Sequence, residues 1–253
     1  MAKHAHLPNA PLAEALFEMK WGEERDGDSR YPVIVGRLHA LMKEQYKVIT
    51  NLPINQVPVN LTMHFVRHQL RPAENAWPVV QIGPGVLTVN ETKNYRWENF
   101  KPQVINAVNN LYQLSREFGP LPLRSLLLRY INVFSLETVG RNSLEFLSRE
   151  LKTNIKLPDV LFEQGVEEHP LNMQFQIAFP SKQPLGVVQM QLGSGTSQDR
   201  PAFLWDLRLL SIDADLPRMP DNFSGWLESS HDLIEKWFFA LSEGNLLDSF
   251  LSQ

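Results

Sequence analysis

Val79-Val80-Gln81-Ile82-Gly83-Pro84-Gly85 returns in the second half of the chain as Val187-Val188-Gln189-Met190-Gln191-Leu192-Gly193. Each copy follows a strand-like segment and precedes an amphipathic helix. This repeat restricts the fold more than any single motif does, because it asks for one α/β unit written twice. A second correspondence agrees with it: Phe17 aligns with Arg129, and Leu61 with Met173, at nearly the same separation. The expected organisation is one domain over 1–253, made of a first half at 12–117 and a second at 121–243. A chain of that size can bury a substantial core without splitting.

Side-chain periodicity gives the elements. In the first half, Phe17, Met19 and Trp21 share one face of a strand. Val35, Leu38, Met42 and Tyr46 recur at helical spacing over 31–46, and Pro32 sits in the first turn, where its missing N–H is harmless. Leu61, Met63 and Phe65 alternate with Thr62, His64 and Val66 as a second strand. Strands at 78–82 and 86–90 flank Gly83-Pro84-Gly85, as a hairpin or as one strand bent at the glycines. Phe100, Val104, Val108 and Leu111 line one side of a helix over 97–114.

The second half repeats the order. The stretch 126–134 is apolar enough for a strand covered on both faces. Asn142 is placed to cap a short helix, and 152–169 reads as irregular. Strands follow at 171–179, 187–192 and 203–213, the last two joined by a polar loop over 193–200. A long helix closes the half at 223–241. The fold class is therefore α+β: two similar β-α-β-β-(β)-α halves forming a mostly antiparallel sheet with helices on one side. In element order this resembles the TATA-binding protein fold and, more loosely, the ferredoxin-like fold, an analogy that carries no function.

Composition removes some function classes. The net charge of −4 and pI near 6.0 leave no electrostatic footprint for nucleic acid or an anionic membrane. With no cysteine, disulfides, thiolate metal sites and a cysteine nucleophile are all excluded. The start of the chain has no apolar signal-like stretch, and the longest apolar runs, such as Leu126-Leu127-Leu128, are too short to span a bilayer. The expectation is a soluble cytoplasmic protein without a membrane.

No motif supplies catalytic, metal or cofactor chemistry. His64 and His68 would share a strand face about 13 Å apart, too far for one ion. Gly83-Pro84-Gly85 and Gly193-Ser194-Gly195 lack the helix start that cradles phosphate. Glu23, Glu24, Asp26 and Asp28 read as solvated loop charges, and His231 as a surface or partly buried helix residue. Arg129 is flanked by Leu127, Ile131 and Val133, so it calls for an anionic partner. That partner could be Glu18, a helix acid or a bound anion. No cofactor is expected.

The chain also resembles a known family. Leu7-Pro-Asn-Ala-Pro-Leu-Ala-Glu-Ala-Leu-Phe-Glu-Met-Lys-Trp21 is similar to the opening of a sporadically distributed prokaryotic family of about this length. Val80-Gln-Ile-Gly-Pro-Gly-Val-Leu-Thr-Val-Asn90 resembles that family's central motif, and Tyr95-Arg-Trp-Glu-Asn-Phe100 and Leu128-Arg-Tyr-Ile-Asn132 resemble two more. His231 followed by Phe238 or Phe239 resembles its C-terminal signature. The resemblance runs over nearly the whole chain and implies no reaction, cofactor or catalytic residue.

One feature does suggest a contact surface. The polar side of the expected sheet carries Thr62, His64, His68, Gln81, Asn172, Gln174, Gln176, Gln189 and Gln191, with Arg129 beside them. Uncharged amides donate and accept hydrogen bonds without the desolvation cost of a charge, which suits a face covered part of the time. The leading expectation is a non-enzymatic binding or regulatory protein that meets a protein partner, or a second copy as a homodimer, through this face. The alternatives are nucleic-acid binding, using Lys20, Arg67, Arg71, Arg129 and Arg208, and a hydrolase or transferase cleft around His64, His231 and Arg129.

Overall fold

A computed structural model describes residues 7–22, 28, 30–56, 64–140 and 142–252. Among them, nine strands form a single antiparallel sheet. They are β1 (Leu12–Trp21), β2 (Val48–Asn51), β3 (His68–Arg71), β4 (Val79–Gly83), β5 (Val86–Glu91), β6 (Leu123–Ser135), β7 (Gln174–Lys182), β8 (Leu185–Ser197) and β9 (Arg200–Ile212). Their order across the sheet is β2-β3-β4-β5-β1-β6-β9-β8-β7.

The helices are α1 (Tyr31–Met42), α2 (Trp97–Phe118), α3 (Leu136–Val139), α4 (Ser143–Glu150), α5 (Phe223–Ser242) and α6 (Asn245–Leu251). They supply the apolar layer that covers one face of the sheet. That face is built by alternation: Phe17, Met19 and Trp21 of β1, Leu126 and Leu128 of β6, and Trp205, Leu207 and Leu209 of β9 are all buried. Phe17 meets Phe223 and Trp226 of α5 edge-on. Each such side chain contributes roughly 1.5–3 kcal/mol on burial. The α+β class with a one-sided helical layer follows directly from the sequence pattern.

The two halves lie on either side of the sheet's centre, where β1 and β6 pair. Outward from β1 lie β5, β4, β3 and β2, and outward from β6 lie β9, β8 and β7. The two copies of the opening repeat thus sit on β4 and β8, each two strands from its half's first strand. Gln81 and Gln189 both point away from the helical layer, and Val80 and Val188 both point toward it.

Several expectations are corrected. Along β6 burial is on the helical side only, and Leu127, Ile131 and Val133 on the other side remain partly exposed, whereas β5 is buried along its whole length. The expected strand around Thr62 and His64 is displaced: residues 57–63 lie outside the described residues, His64 is a turn residue with φ 57°, and the strand runs over 68–71 instead. The polar loop at 193–200 shrinks to a turn at Gln198 and Asp199, both with positive φ, since the strands' ladder extends through it.

Asp28 is not a solvated loop charge. It is 5% exposed and accepts from Trp21 Nε1 at 2.7 Å and from Arg30 Nε and Nη2 at 2.8 and 2.9 Å. Burial alone would raise its carboxyl, but the bonds from Arg30 and Trp21 outweigh that and leave its pKa below the ordinary value of 3.8. Arg30 also donates to the carbonyls of Phe118, Gly119 and Pro120, which ties the start of α1 to the end of α2.

Gly83-Pro84-Gly85 is the β4–β5 turn. A Cβ on Gly83 would lie 1.9 Å from the Phe65 carbonyl oxygen. One on Gly85, at φ +76°, would lie 2.4 Å from the Trp21 oxygen. The glycines are set by close backbone approach, not by phosphate chemistry.

Candidate functional site

A half-open cavity of about 350 Å³ lies between the inner face of the sheet, the start of α2, the middle of α5 and residues 7–12. Four pieces of local structure build its wall. Alternation along β6 turns Tyr130 and Asn132 inward, beside Leu207 of β9. The chain enters α2 through Tyr95, Arg96, Trp97 and Glu98. On α5, His231, Ile234, Glu235 and Phe238 recur at i, i+3, i+4 and i+7, which places them on one helical face. Leu7, Ala10, Pro11 and Leu12 close the remaining side.

A polar chain crosses this apolar wall. The Tyr95 and Tyr130 hydroxyls are 2.8 Å apart. The Tyr130 hydroxyl is 2.9 Å from His231 Nδ1, and His231 Nε2 lies 3.7 Å from Glu235 Oε1. Trp97 stacks on the imidazole at 3.9 Å between ring centroids. His231 is only 5% exposed, so the helix-surface expectation for it gives way to a buried, oriented ring.

Burial raises the pKa of both phenols. Hydrogen bonding to Tyr130 and the nearby Glu235 and Glu98 add to this at Tyr95. Glu235 and Glu228 add to it at Tyr130, against a lowering contribution from the Tyr95 hydrogen bond. Both stay protonated through the neutral range, as neutral groups that can donate and accept.

The sequence-predicted contact residues are distributed differently. Gln174, Gln176, Gln189 and Gln191 gather on the uncovered face of β7 and β8, where Gln176 sits opposite Gln191. Gln81 is on the same face, in β4, and accepts from Thr88. Asn172 is exposed in the bend before β7. Much of the amide capacity is used internally: Gln191 donates to Gln174, Gln174 donates to the Ser194 carbonyl, and Arg208 donates to Gln191.

The anionic partner of Arg129 is Asp206 on β9, at 2.9 Å from Nε and 2.6 Å from Nη2. It is neither Glu18 nor a helix acid. His68 is not on the polar face. Its ring turns to the helical side and hydrogen-bonds the Tyr31 hydroxyl, and its pKa is lowered by burial and then by Arg67. His64 packs against Gly85, with Nδ1 3.1 Å from the carbonyl oxygen. Thr62 lies outside the described residues.

The cleft expected around His64, His231 and Arg129 does not form. Arg129 neighbours Tyr130 on β6 and points the opposite way, so it and His231 are on opposite faces of the sheet. The expected cationic patch is dispersed too. Lys20 pairs with Glu18, Arg129 and Arg208 with Asp206, Arg71 lies over Trp77, and Arg67 is buried. Among the described residues no three His, Asp or Glu side chains cluster as a metal set. Among the described residues, too, no helix is long and apolar enough to cross a membrane.

The chain Tyr95–Tyr130–His231–Glu235 was not singled out from the sequence. Its residues come from segments scattered along the sequence, and only the fold shows that they converge.

No protein-family model matches the sequence. No curated protein is significantly similar to it. Among solved structures, the di-domain ARO/CYC StfQ from the steffimycin biosynthetic pathway aligns at 9% identity over 93% of this chain and 97% of its own, with a TM-score of 0.19. A likeness that slight carries no argument about fold or function.

Proposed function

We propose that this protein is a binding or regulatory protein that holds a small organic molecule in the cavity between β6, α2 and α5. The observation that carries the reading is the convergence of the Tyr95–Tyr130–His231–Glu235 chain on a mainly apolar cavity. Its volume of about 350 Å³ falls in the range of small-molecule pockets, and a few fixed polar groups in an apolar wall are what such pockets use for orientation. The gathering of the resemblance-bearing segments at the same wall supports it, and fits membership of that prokaryotic family.

The test is binding of a neutral, polarity-sensitive naphthalene probe such as prodan, followed by its emission shift. Saturable binding is expected in the wild type and its loss in Ile234→Trp, which fills the cavity from α5. A probe signal that is non-saturable, or unchanged in a folded Ile234→Trp variant, overturns the reading.

A second reading keeps the uncovered sheet face as a surface for a protein partner or a second copy. It is favoured by the partial exposure of Leu127, Ile131 and Val133, and weakened by the amides' internal hydrogen bonds. The places of β4 and β8, each two strands out from the central β1–β6 pair, are in keeping with a duplicated unit. Sedimentation of wild type against Ile131→Glu tests the surface: a monomer in both cases removes self-association. Nucleic-acid binding has less support, since Lys20, Arg129 and Arg208 pair with carboxylates and Arg67 is buried.

A further inference from the structure

We infer that β7, an edge strand of the sheet, pairs antiparallel with β7 of a second copy of this chain. The contact uses neither the cavity nor the sheet face around Ile131. β7 is nine residues long and ends the strand order, with β8 as its one strand neighbour among the described residues. A long open edge is a template for another strand. The opposite edge strand, β2, is only four residues long, and shortness is one way a sheet blunts an edge.

The ladder shows which backbone groups are open. Ser194 N–H donates to the Met173 carbonyl, so in the β7–β8 register Met173, Phe175, Ile177 and Phe179 bond to β8. The residues between them turn their N–H and C=O groups outward, because the bonding side alternates along a strand. Those residues are Gln174, Gln176, Ala178 and Pro180, all exposed. Pro180 lacks an N–H at a position where β8 does not need one.

Self-pairing matches these groups. With Gln176 opposite Gln176 of the second copy, Gln174 faces Ala178, and every N–H and C=O of these residues gains a partner. Moving Gln176 opposite Ala178 sets Gln174 against Pro180, whose missing N–H leaves a carbonyl unmatched. The first register also puts Phe175 against Ile177 and Met173 against Phe179 as the close, non-hydrogen-bonded pairs on the helical side. No charged residue lies between Gln174 and Pro180, so the two-fold brings no like charges together. Apolar side chains stand exposed beside this edge: Leu171 is 99%, Leu185 52% and Phe179 45% exposed. A second copy brings an already ordered strand, so it binds at a lower ordering cost than a loose peptide.

The chain has no cysteine, which makes Gln176→Cys a clean probe. Hydrogen-bonded antiparallel pairs lie about 5.5 Å apart at Cα, within disulfide reach. Mild oxidation is expected to link Gln176→Cys into a covalent dimer and to leave Gln189→Cys, on β8, unlinked. Sedimentation is expected to show a wild-type dimer. Ala178→Pro removes an outward N–H that β8 does not use. By symmetry two hydrogen bonds go, and the dissociation constant should rise about thirtyfold. Gln176→Lys sets two ammonium groups face to face at an exposed position. It should weaken the dimer as well, and it carries the test if the proline variant fails to fold.

A wild type that stays monomeric at about 100 μM, or a folded Gln176→Lys variant that dimerises as well as the wild type, overturns the edge contact. The same holds if Gln176→Cys gives no covalent dimer. A dimer lost in Ile131→Glu and kept in Gln176→Lys also overturns it and assigns the association to the sheet face.

Discussion

Replacing Tyr130 with phenylalanine removes one oxygen from the cavity wall and leaves the ring's packing in place. That oxygen holds two hydrogen bonds, a part-buried one to Tyr95 at 2.8 Å and a buried one to His231 at 2.9 Å. A neutral hydrogen bond of this kind contributes about 1 kcal/mol net. Tyr130→Phe should then cost about 2 kcal/mol, and Tyr95→Phe, which loses the outer bond alone, about 1 kcal/mol. In the double variant the same two bonds are missing, so the cost stays near 2 kcal/mol and falls short of additivity by about 1 kcal/mol.

The assay is urea unfolding followed by circular dichroism. With a slope of about 3 kcal/mol/M, the midpoint should fall by about 0.7 M for Tyr130→Phe and about 0.3 M for Tyr95→Phe. Two costs that simply add would refute the idea of a connected chain. So would a Tyr95→Phe variant as damaged as Tyr130→Phe.

The packing sets four further outcomes. Arg30→Ala strips Asp28 of its cation while leaving it buried, and should cost about 3 kcal/mol by urea unfolding; a loss below about 0.5 kcal/mol would mean the clamp between α1 and α2 contributes only what a surface pair does. Because the folded pKa of Asp28 is below 3.8, the wild type's share of that stability is present above 3.8 and disappears as the pH falls through the lower, folded value. The folded pKa of His68 is depressed below 6.5, so its contribution is present above pH 6.5 and is lost on acidification. His68→Asn should flatten the slope of stability against pH just below that point. Gly83→Ala places a methyl group 1.9 Å from the Phe65 oxygen and should lower stability by about 3 kcal/mol; a thermally unchanged variant would show that the segment at 64–67 yields freely.

Much of the fold was legible in the chain, and the reason is local. The alternation of Phe17, Met19 and Trp21 and the helical spacing of Phe100, Val104 and Val108 report burial of one face, residue by residue. Asn142 could be recognised as a cap from its neighbours alone, and it accepts from the backbone N–H groups of Leu144 and Glu145. What misled the reading was also local. A polar residue inside an alternating stretch looks the same whether its neighbours stay in a ladder or leave it, so alternation puts His64 on a strand that begins only at His68. Asp28 reads as solvated because nothing in its own loop shows that Trp21 and Arg30 bond to it.

The sequence by itself determined which side chains face inward, the repeated order of elements, and the absence of any thiol chemistry. Those are properties of short stretches and of composition. The tertiary structure alone decided the candidate site. Tyr95, Tyr130 and His231 are separated by 35 and 101 residues, and no periodicity relates positions so far apart. They meet because β6 lies at the centre of the sheet and both α2 and α5 pack on the same side of it. The same one-sided packing turns Arg129 away from its neighbour Tyr130. The echo at Val79 and Val187 falls on two strands of the framework, β4 and β8, and the polar chain collected in the cavity between the sheet and its helices.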